Sequence, residues 1–346
     1  MGPGRDNDWA REDLRLGYVL IRRPAPAMPA FAATVGPRYR SAGGCLVRPR
    51  DPIETEPVPS VPSGQRTSQG SDRFGLRVAH VSDRGSKRTN NEDAVLVLRL
   101  IRDGGGGTVD SRLLAVADGM GGMERGEIAS HLALTALSSY VADRFGDVPE
   151  DDVPGQIELL TNALAAVNER VHASQDPRSA SKMGSTIVVA YTAGSALFVA
   201  HAGDSRCYLL RDGGIQRATR DDSLVQALID AGQLTEAEAA VHPQRNRISK
   251  GIGLVPPDRF QPTVRHVGDV NDYDYVLLSS DGLHGVVKDD EIARAVYGSR
   301  NAASAAKALL ALAIQAGAPD NVSVILARVV PGESAAKGTP PRATET

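Results

Sequence analysis

Apolar residues in this chain gather into short dense runs that end at a turn-forming residue. RLLAVADG (112–119), STIVVAYTAG (185–194), ALFVAHAG (196–203) and YVLLSSDG (275–282) share this form. Val, Leu and Ile dominate them, which predicts buried strands separated by Gly, Asn or Asp turns. Strands are expected over 76–82, 94–101, 112–118, 185–193, 195–202, 206–210, 274–280 and 322–329. GGGG at 104–107 lies between two of them and reads as a hairpin connection. Other stretches carry the helical period. Ile128, Leu132, Ala136 and Tyr140 recur on one face, as do Ile157, Leu160, Leu164, Val167 and Val171. A third helix is expected over 301–316, stopping before Gly317 and Pro319. Strands come in consecutive groups over 185–210 instead of alternating strictly with helices. That order favours an α+β layered fold over a doubly wound parallel sheet.

The pattern is confined to residues 73–330, which read as one domain. Residues 1–72 are rich in Pro, Arg, Gly and Ser, most clearly in PRDPIETEPVPSVPSGQ (49–65). Such composition buries too little apolar surface to order a chain, so a disordered extension is expected. A docking arm and a start codon placed too far upstream are the alternatives. Residues 331–346 read as a short polar tail.

Charge and cysteine usage remove several functions. Lys and Arg total 39 against 42 Asp and Glu, a net charge of −3, so there is no basic footprint for nucleic acid. Cys45 and Cys207 are the two cysteines; a disulfide framework is excluded and a reducing cytoplasm fits. No apolar run approaches the roughly eighteen residues of a membrane span. YVLIRRPAPAMPAFAATV contains two Arg and three Pro, which argues against both a span and a signal peptide.

Four aspartates carry the chemistry: Asp118, Asp204, Asp281 and Asp320. Each stands at the edge of an apolar run beside a turn-former, in LLAVADGMGG, LFVAHAGDSR, YVLLSSDGLHG and GAPDNVSVIL. A buried strand seldom tolerates a carboxylate at its tip unless something positive waits there. Four such tips point to one shared acidic pocket, suited to hard divalent cations. Mg²⁺ and Mn²⁺ favour oxygen ligands in octahedral geometry. Gly119, directly after Asp118, lets the backbone approach a cation closely. Two cations about 4 Å apart can hold a bridging hydroxide and clamp a phosphoryl group. Arg88, in RTNNED (88–93), offers a planar fork for phosphate and precedes a second acidic pair, Glu92 and Asp93.

Other chemistries fit less well. A cysteine phosphatase needs an Arg six residues after its Cys, but Asp51 and Gly213 occupy those places. A dinucleotide fingerprint beginning at Gly119 would need a third glycine where Glu124 stands. The seven histidines lack zinc-ligand spacing. Taken singly, an Asp-Gly pair is a turn and an Arg near two carboxylates is a surface ion pair. The weight lies in the combination and its order.

With these segments in view, the chain resembles the metal-dependent serine/threonine protein phosphatases, the PPM or protein phosphatase 2C family, in their bacterial style. The matching segments are SDRGSKRTNNED (82–93), ADGMGGMERGEIAS (117–130), GSTIVV (184–189), AGDSRCYLLRDG (202–213), HPQRNRI (242–248), LLSSDGL (277–283) and APDNVSVI (318–325). The resemblance implies a four-layer sandwich: two antiparallel sheets face to face, flanked by helices. It implies hydrolysis of phosphoserine and phosphothreonine by a hydroxide activated by two metals, Mn²⁺ or Mg²⁺. Carried over, Asp118 would bridge both metals, the Gly119 carbonyl would bind one, and Asp281 and Asp320 would complete the first metal's shell. Glu92 and Asp93 would orient waters or bind the second metal, and Arg88 would bind phosphate. Asp204, with Asp281, matches positions of a third metal in bacterial members. Residues 217–250 match a flap beside the site.

Some positions depart from the family. Many eukaryotic relatives place His, as a proposed general acid, where Met120 stands; a thioether cannot donate a proton. ISKGIG (248–253) replaces the usual Thr/Met-Arg-Ala-Leu-Gly run, and His284–Gly285 replaces a polar pair. The expected partners are phosphorylated proteins, including serine/threonine kinases and their targets, with no nucleic acid and no membrane. The expected protein is a cytoplasmic monomer in a signalling role, without the membrane span that follows the catalytic core in some bacterial relatives. A phosphoprotein-binding pseudophosphatase, a hydrolase of phosphotyrosine, phosphoarginine or small phosphoesters, and a stress-response switch phosphatase are the competing readings. Retention of every metal-binding Asp argues against the first.

Overall fold

The computed structural model describes residues 74–104, 107–121, 125–176, 178 and 182–331. The expected N-terminal extension, 1–72, and all but the first residue of the expected tail lie outside the described residues. The chain opens with β1 (Phe74–Asp83), β2 (Asp93–Gly104) and β3 (Gly107–Met120), then α1 (Arg125–Arg144) and α2 (Val153–Ala173). Next come β4 (Gly184–Ser185), β5 (Ile187–Ala193), β6 (Ala196–Ala202), β7 (Arg206–Arg211) and β8 (Gly214–Arg217). Helices α3 (Leu224–Asp230) and α4 (Glu236–Ala240) precede β9 (Thr263–Asp269) and β10 (Tyr275–Ser279). The described part ends with α5 (Asp281–His284), α6 (Asp289–Tyr297), α7 (Ala302–Gln315) and β11 (Val322–Pro331).

Two sheets form, and every strand pair is antiparallel. One has the order β1-β11-β10-β7-β8; the other has β2-β3-β5-β6-β9, with β4 added to the end of β3. The strand period of two sorts each run between two cores. Leu113, Ala115 and Ala117 face α1 and α2, sharing a core with Leu137, Leu160 and Leu164. Leu114 and Val116, between them in sequence, face the other sheet and join Val188, Val199, Leu278 and Ile325. On the far side, Leu277, Val324 and Leu326 pack against Ile292 of α6 and Leu309 of α7. The layers are therefore helix, sheet, sheet, helix, the sandwich the family resemblance implied. Strands covered on both faces must be apolar throughout, which explains the unbroken runs.

The expected strands and helices all form, with shifted ends. Gly104 pairs with Gly107, so the glycine run does close a hairpin. Asp152 caps α2 by accepting from Gly155 N, and Asn301 caps α7 by accepting from Ser304 N at 2.8 Å. The pattern did not announce β8, β9, or α3 to α6. The two strands lie at sheet edges and keep partly exposed positions, so their runs are diluted. Helix α6 buries only Ile292, Ala293 and Val296, and α5 spans just four residues.

This topology gathers distant residues at one end of the sandwich. Asp93 opens β2 directly opposite Asp118 on β3. Ser280 N, just past β10, donates to Ser323 O at the start of β11 at 3.0 Å. The core that holds this end in place is dense. Leu137 is fully buried between α1 and the sheet. Leu137→Ala is expected to cost about 2–5 kcal/mol, as transfer and cavity terms add. Urea unfolding midpoints of the two proteins check this.

Candidate metal centre and active site

At that end lies a pocket of about 590 Å³. Its lining includes Asp118, Gly119, Met120, Asp204, Asp281 and Asp320, with Arg88 and Glu92. Asn246, Arg247 and Ile248 complete one wall, which places part of the expected flap beside it. Seven of the eight site residues expected from sequence therefore line one cavity. The eighth, Asp93, sits behind it and is buried, its Oδ2 accepting from Ser280 Oγ at 2.8 Å.

Strand ends fix these groups through the backbone. The Asp118 carbonyl accepts from Thr186 N at 2.8 Å and Ser185 Oγ at 3.0 Å. Asp118 N donates to Thr186 Oγ1 at 3.1 Å. Gly119 N donates to Glu92 O at 3.1 Å. A Cβ on Gly119 would collide with the Gly126 carbonyl oxygen and press on Glu92 O. The glycine is thus demanded by close packing of β3 against the start of α1. Its proposed openness toward a cation is additional to that constraint.

Sequence reasoning overlooked Asn321, which ties the loop between β1 and β2 to the start of β11. Its Oδ1 accepts from Glu92 N at 2.8 Å, and its Nδ2 donates to Arg84 O and Asn90 O at 3.0 and 2.9 Å. Its place directly after Asp320 was the available signal. Ser280 was overlooked as well; besides holding Asp93, its Oγ accepts from Ser323 N at 2.9 Å. Arg88 donates through Nη2 to Asp320 Oδ2 at 2.7 Å and lies 3.9 Å from Glu92 Oε2.

The carboxylates repel one another in a poorly solvated place. Burial, aided by the charges of Asp281 and Asp320, pushes Asp93 up to about 7. Asp204 rises to about 8 by burial and the charges of Asp281 and Asp221. Asp281 rises to about 6, with burial first and Asp320 second; a hydrogen bond with Asp118 pulls the other way. Asp118 is raised well above the usual range by burial and then by Asp93, Asp281, Asp204 and Asp320. Burial also raises Glu92. Arg88 is raised chiefly by its hydrogen bond to Asp320.

A divalent cation fits this donor set. The donors are hard oxygens, and Asp93 Oδ1 and Asp281 Oδ1 are buried without a hydrogen-bond partner. Among the described residues no three His, Cys, Asp or Glu side chains already close around one ion-sized point. The fit therefore rests on oxygen chemistry, burial and shared charge.

A layered sandwich with an acidic pocket at its strand ends defines the class of the PPM phosphatase fold. The match to protein phosphatase 2C covers residues 86–315, and the chain belongs to that family. Over 258 residues it is 39% identical to the serine/threonine protein phosphatase PstP of Mycobacterium tuberculosis, covering 74% of this chain and 45% of PstP. It thus spans under half of that relative. Protein phosphatase PhpP of Streptococcus pneumoniae is 35% identical over 254 residues, covering 72% of this chain and 96% of PhpP. The PstP catalytic domain in complex with two manganese ions superposes with a TM-score of 0.61 at 37% identity, covering 74% of this chain and 99% of that one. An S. agalactiae serine/threonine phosphatase superposes at 0.64 with 31% identity, covering 74% and 99% respectively.

The raised carboxylates set a pH dependence. An unfolded Asp titrates near about 4, so the folded state binds these protons more tightly. The stability they confer is complete below about pH 4 and is lost as pH rises through about 6 to 8, the folded values of Asp281, Asp93 and Asp204. In a chelator, Asp204→Asn should therefore gain thermal stability relative to wild type as pH rises from 5 to 8. Added Mn²⁺ should favour wild type instead, by mass action on the folded state. Melting curves of both proteins, with chelator and with Mn²⁺, check the crossover.

Proposed function

We propose that the protein is a metal-dependent serine/threonine protein phosphatase that opposes serine/threonine kinases. The observation carrying this is the gathering of Asp118, Asp204, Asp281 and Asp320 in one pocket, with the guanidinium of Arg88 paired to Asp320. The fit of this donor set, and the manganese ions of the PstP domain, support Mn²⁺ or Mg²⁺ as cofactor. Asp118 would hold both core ions, the Gly119 carbonyl one of them, Asp281 and Asp320 the first, and Glu92 and Asp93 the second or its waters. Asp204 with Asp281 would hold a third. A bound pair of such ions supplies Lewis acidity toward a phosphoryl oxygen and acidifies water.

The chain's own residues do the rest. Arg88 is 49% exposed, so its side chain is free to leave Asp320 for a phosphate, which it matches with a bidentate fork. Met120 lines the pocket and has no proton to give, so proton delivery to a leaving alkoxide is not its task. The wall formed by Asn246, Arg247 and Ile248 gives a peptide substrate something to contact beyond its phosphate. Phosphorylated proteins are the proposed substrates, and kinases are proposed among them. A cytoplasmic setting is supported by the sparse cysteines, of which Cys207 is buried and free. Among the described residues no helix is long and apolar enough to cross a membrane. A monomer is supported by the scatter of the exposed aliphatic residues Ile128, Val241 and Ile314 over separate parts of the chain.

Manganese-dependent phosphate release from phosphothreonine, phosphoserine and phosphotyrosine peptides tests the assignment. Asp118→Asn should remove turnover, and retention of more than about a tenth of the wild-type rate would overturn the metal role. The substitution should leave the fold intact, since it relieves carboxylate repulsion.

Arg88→Ala should lower kcat/KM by about 2–4 kcal/mol, because phosphate is held in ground and transition states alike. Its Mn²⁺ affinity, read by calorimetry, should stay close to wild type. Normal kinetics with weakened Mn²⁺ binding would reassign Arg88 to its ion pair with Asp320.

A further inference from the structure

Lys250 stands in the ISKGIG segment, where this chain departs from the pattern it otherwise resembles. Its ammonium lies 2.9 Å from Asp222 Oδ1 and donates to Thr263 Oγ1 of β9 at 3.3 Å. Asp222 in turn grips the turn that carries Asp204. Its Oδ2 accepts from Gly203 N at 3.2 Å, and its own N–H donates to Gly203 O at 2.9 Å. Asp222 O accepts from Ser249 N at 2.8 Å, beside Lys250. His201 closes the group from below, Nε2 within 2.7 Å of Arg220 O and 3.9 Å from Asp222 Oδ2. Glycine is required at position 203: its φ is +113°, and a Cβ there would press on Thr186.

We propose that Asp222 and Lys250 form a clasp that fixes the base of the flap against the Gly203–Asp204 turn. Both are positioning residues: neither lines the pocket, yet between them they join its wall to one of its carboxylates. Asn246, Arg247 and Ile248 lie just before the clasped segment, and Arg247 O accepts from Leu224 N at 2.9 Å. Opening the clasp removes one of the holds on this wall, leaving its backbone hydrogen bonds, while β6 and β7 remain paired in their sheets. With side chains 25% and 15% exposed, the pair is screened less than a surface pair. The clasp therefore adds a side-chain hold on the flap to its backbone hydrogen bonds, Ser249 N to Asp222 O and Leu224 N to Arg247 O, and to the Asp221–Arg206 ion pair.

The kinetic half of the proposal rests on the phosphatase reading; the structural half does not. Lys250→Met, Lys250→Arg and Asp222→Asn are compared with wild type in the full chain. Amide hydrogen exchange over 222–250 should quicken roughly tenfold in Lys250→Met and Asp222→Asn, and return toward wild type in Lys250→Arg. Exchange in β5 and β10 should not change. With turnover, Lys250→Met should raise KM for a phosphothreonine peptide by about fivefold, with kcat less affected, and leave KM for p-nitrophenyl phosphate unchanged. Lys250→Arg should restore the peptide KM. Unchanged flap exchange in Lys250→Met overturns the clasp, as does an equal rise in KM for both substrates. A chain that releases no phosphate from any substrate defeats the phosphatase assignment and leaves the exchange comparison to decide the clasp.

Discussion

Mutual repulsion among buried carboxylates is the constraint around which this structure is organised. Five aspartates converge at one end of the sandwich, and burial drives Asp93, Asp118, Asp204 and Asp281 toward their protonated forms. Such a cluster is costly unless positive charge compensates it. Arg88 offers one positive charge at Asp320. Divalent cations would neutralise far more, and the same ions would supply the chemistry. Instability and function are thus two faces of one arrangement.

Holding such a cluster requires a rigid frame, and the frame is mostly backbone. Asp118 sits at the end of a strand, and its carbonyl accepts hydrogen bonds from Ser185 Oγ and Thr186 N. Gly119 and Gly126 allow β3 and α1 to touch backbone to backbone, which brings Glu92 to the rim. Asn321 pins three points of the single loop between β1 and β2 through one side chain. Three cores, one between the sheets and one on each outer face, keep these ends from moving apart. The flap is the exception, short in helix and fastened by Asp221 to Arg206, by Asp222 to the turn after β6, and by the Ser223–Ile248 bridge.

Much of the fold was legible because burial on both faces leaves little choice of residue. LLAVA and IVVAY had to be apolar at every position, so the central strands stand out. Edge strands β8 and β9 face solvent in part and blend into loops, as does α6 with its brief apolar face. Site residues were legible for the opposite reason. A carboxylate at the tip of a buried run breaks a strong rule, and broken rules collect at functional positions. Asn321 and Ser280 break no rule, since a polar residue in a turn is ordinary, and they passed unnoticed.

The sequence by itself determined that the chain would form a layered α+β domain with oxygen-rich strand tips, because those properties depend on residue type and local spacing. Tertiary structure alone decided which tips share a pocket and how each is supported. Asp93 meets Ser280 across 187 positions of sequence, and Arg88 meets Asp320 across 232. Lys250 meets Asp222 only because the flap folds back on the turn after β6. Such contacts are fixed by strand register and sheet packing, which are collective properties of the whole chain. No local pattern encodes them, so they become visible only once the two sheets are in place.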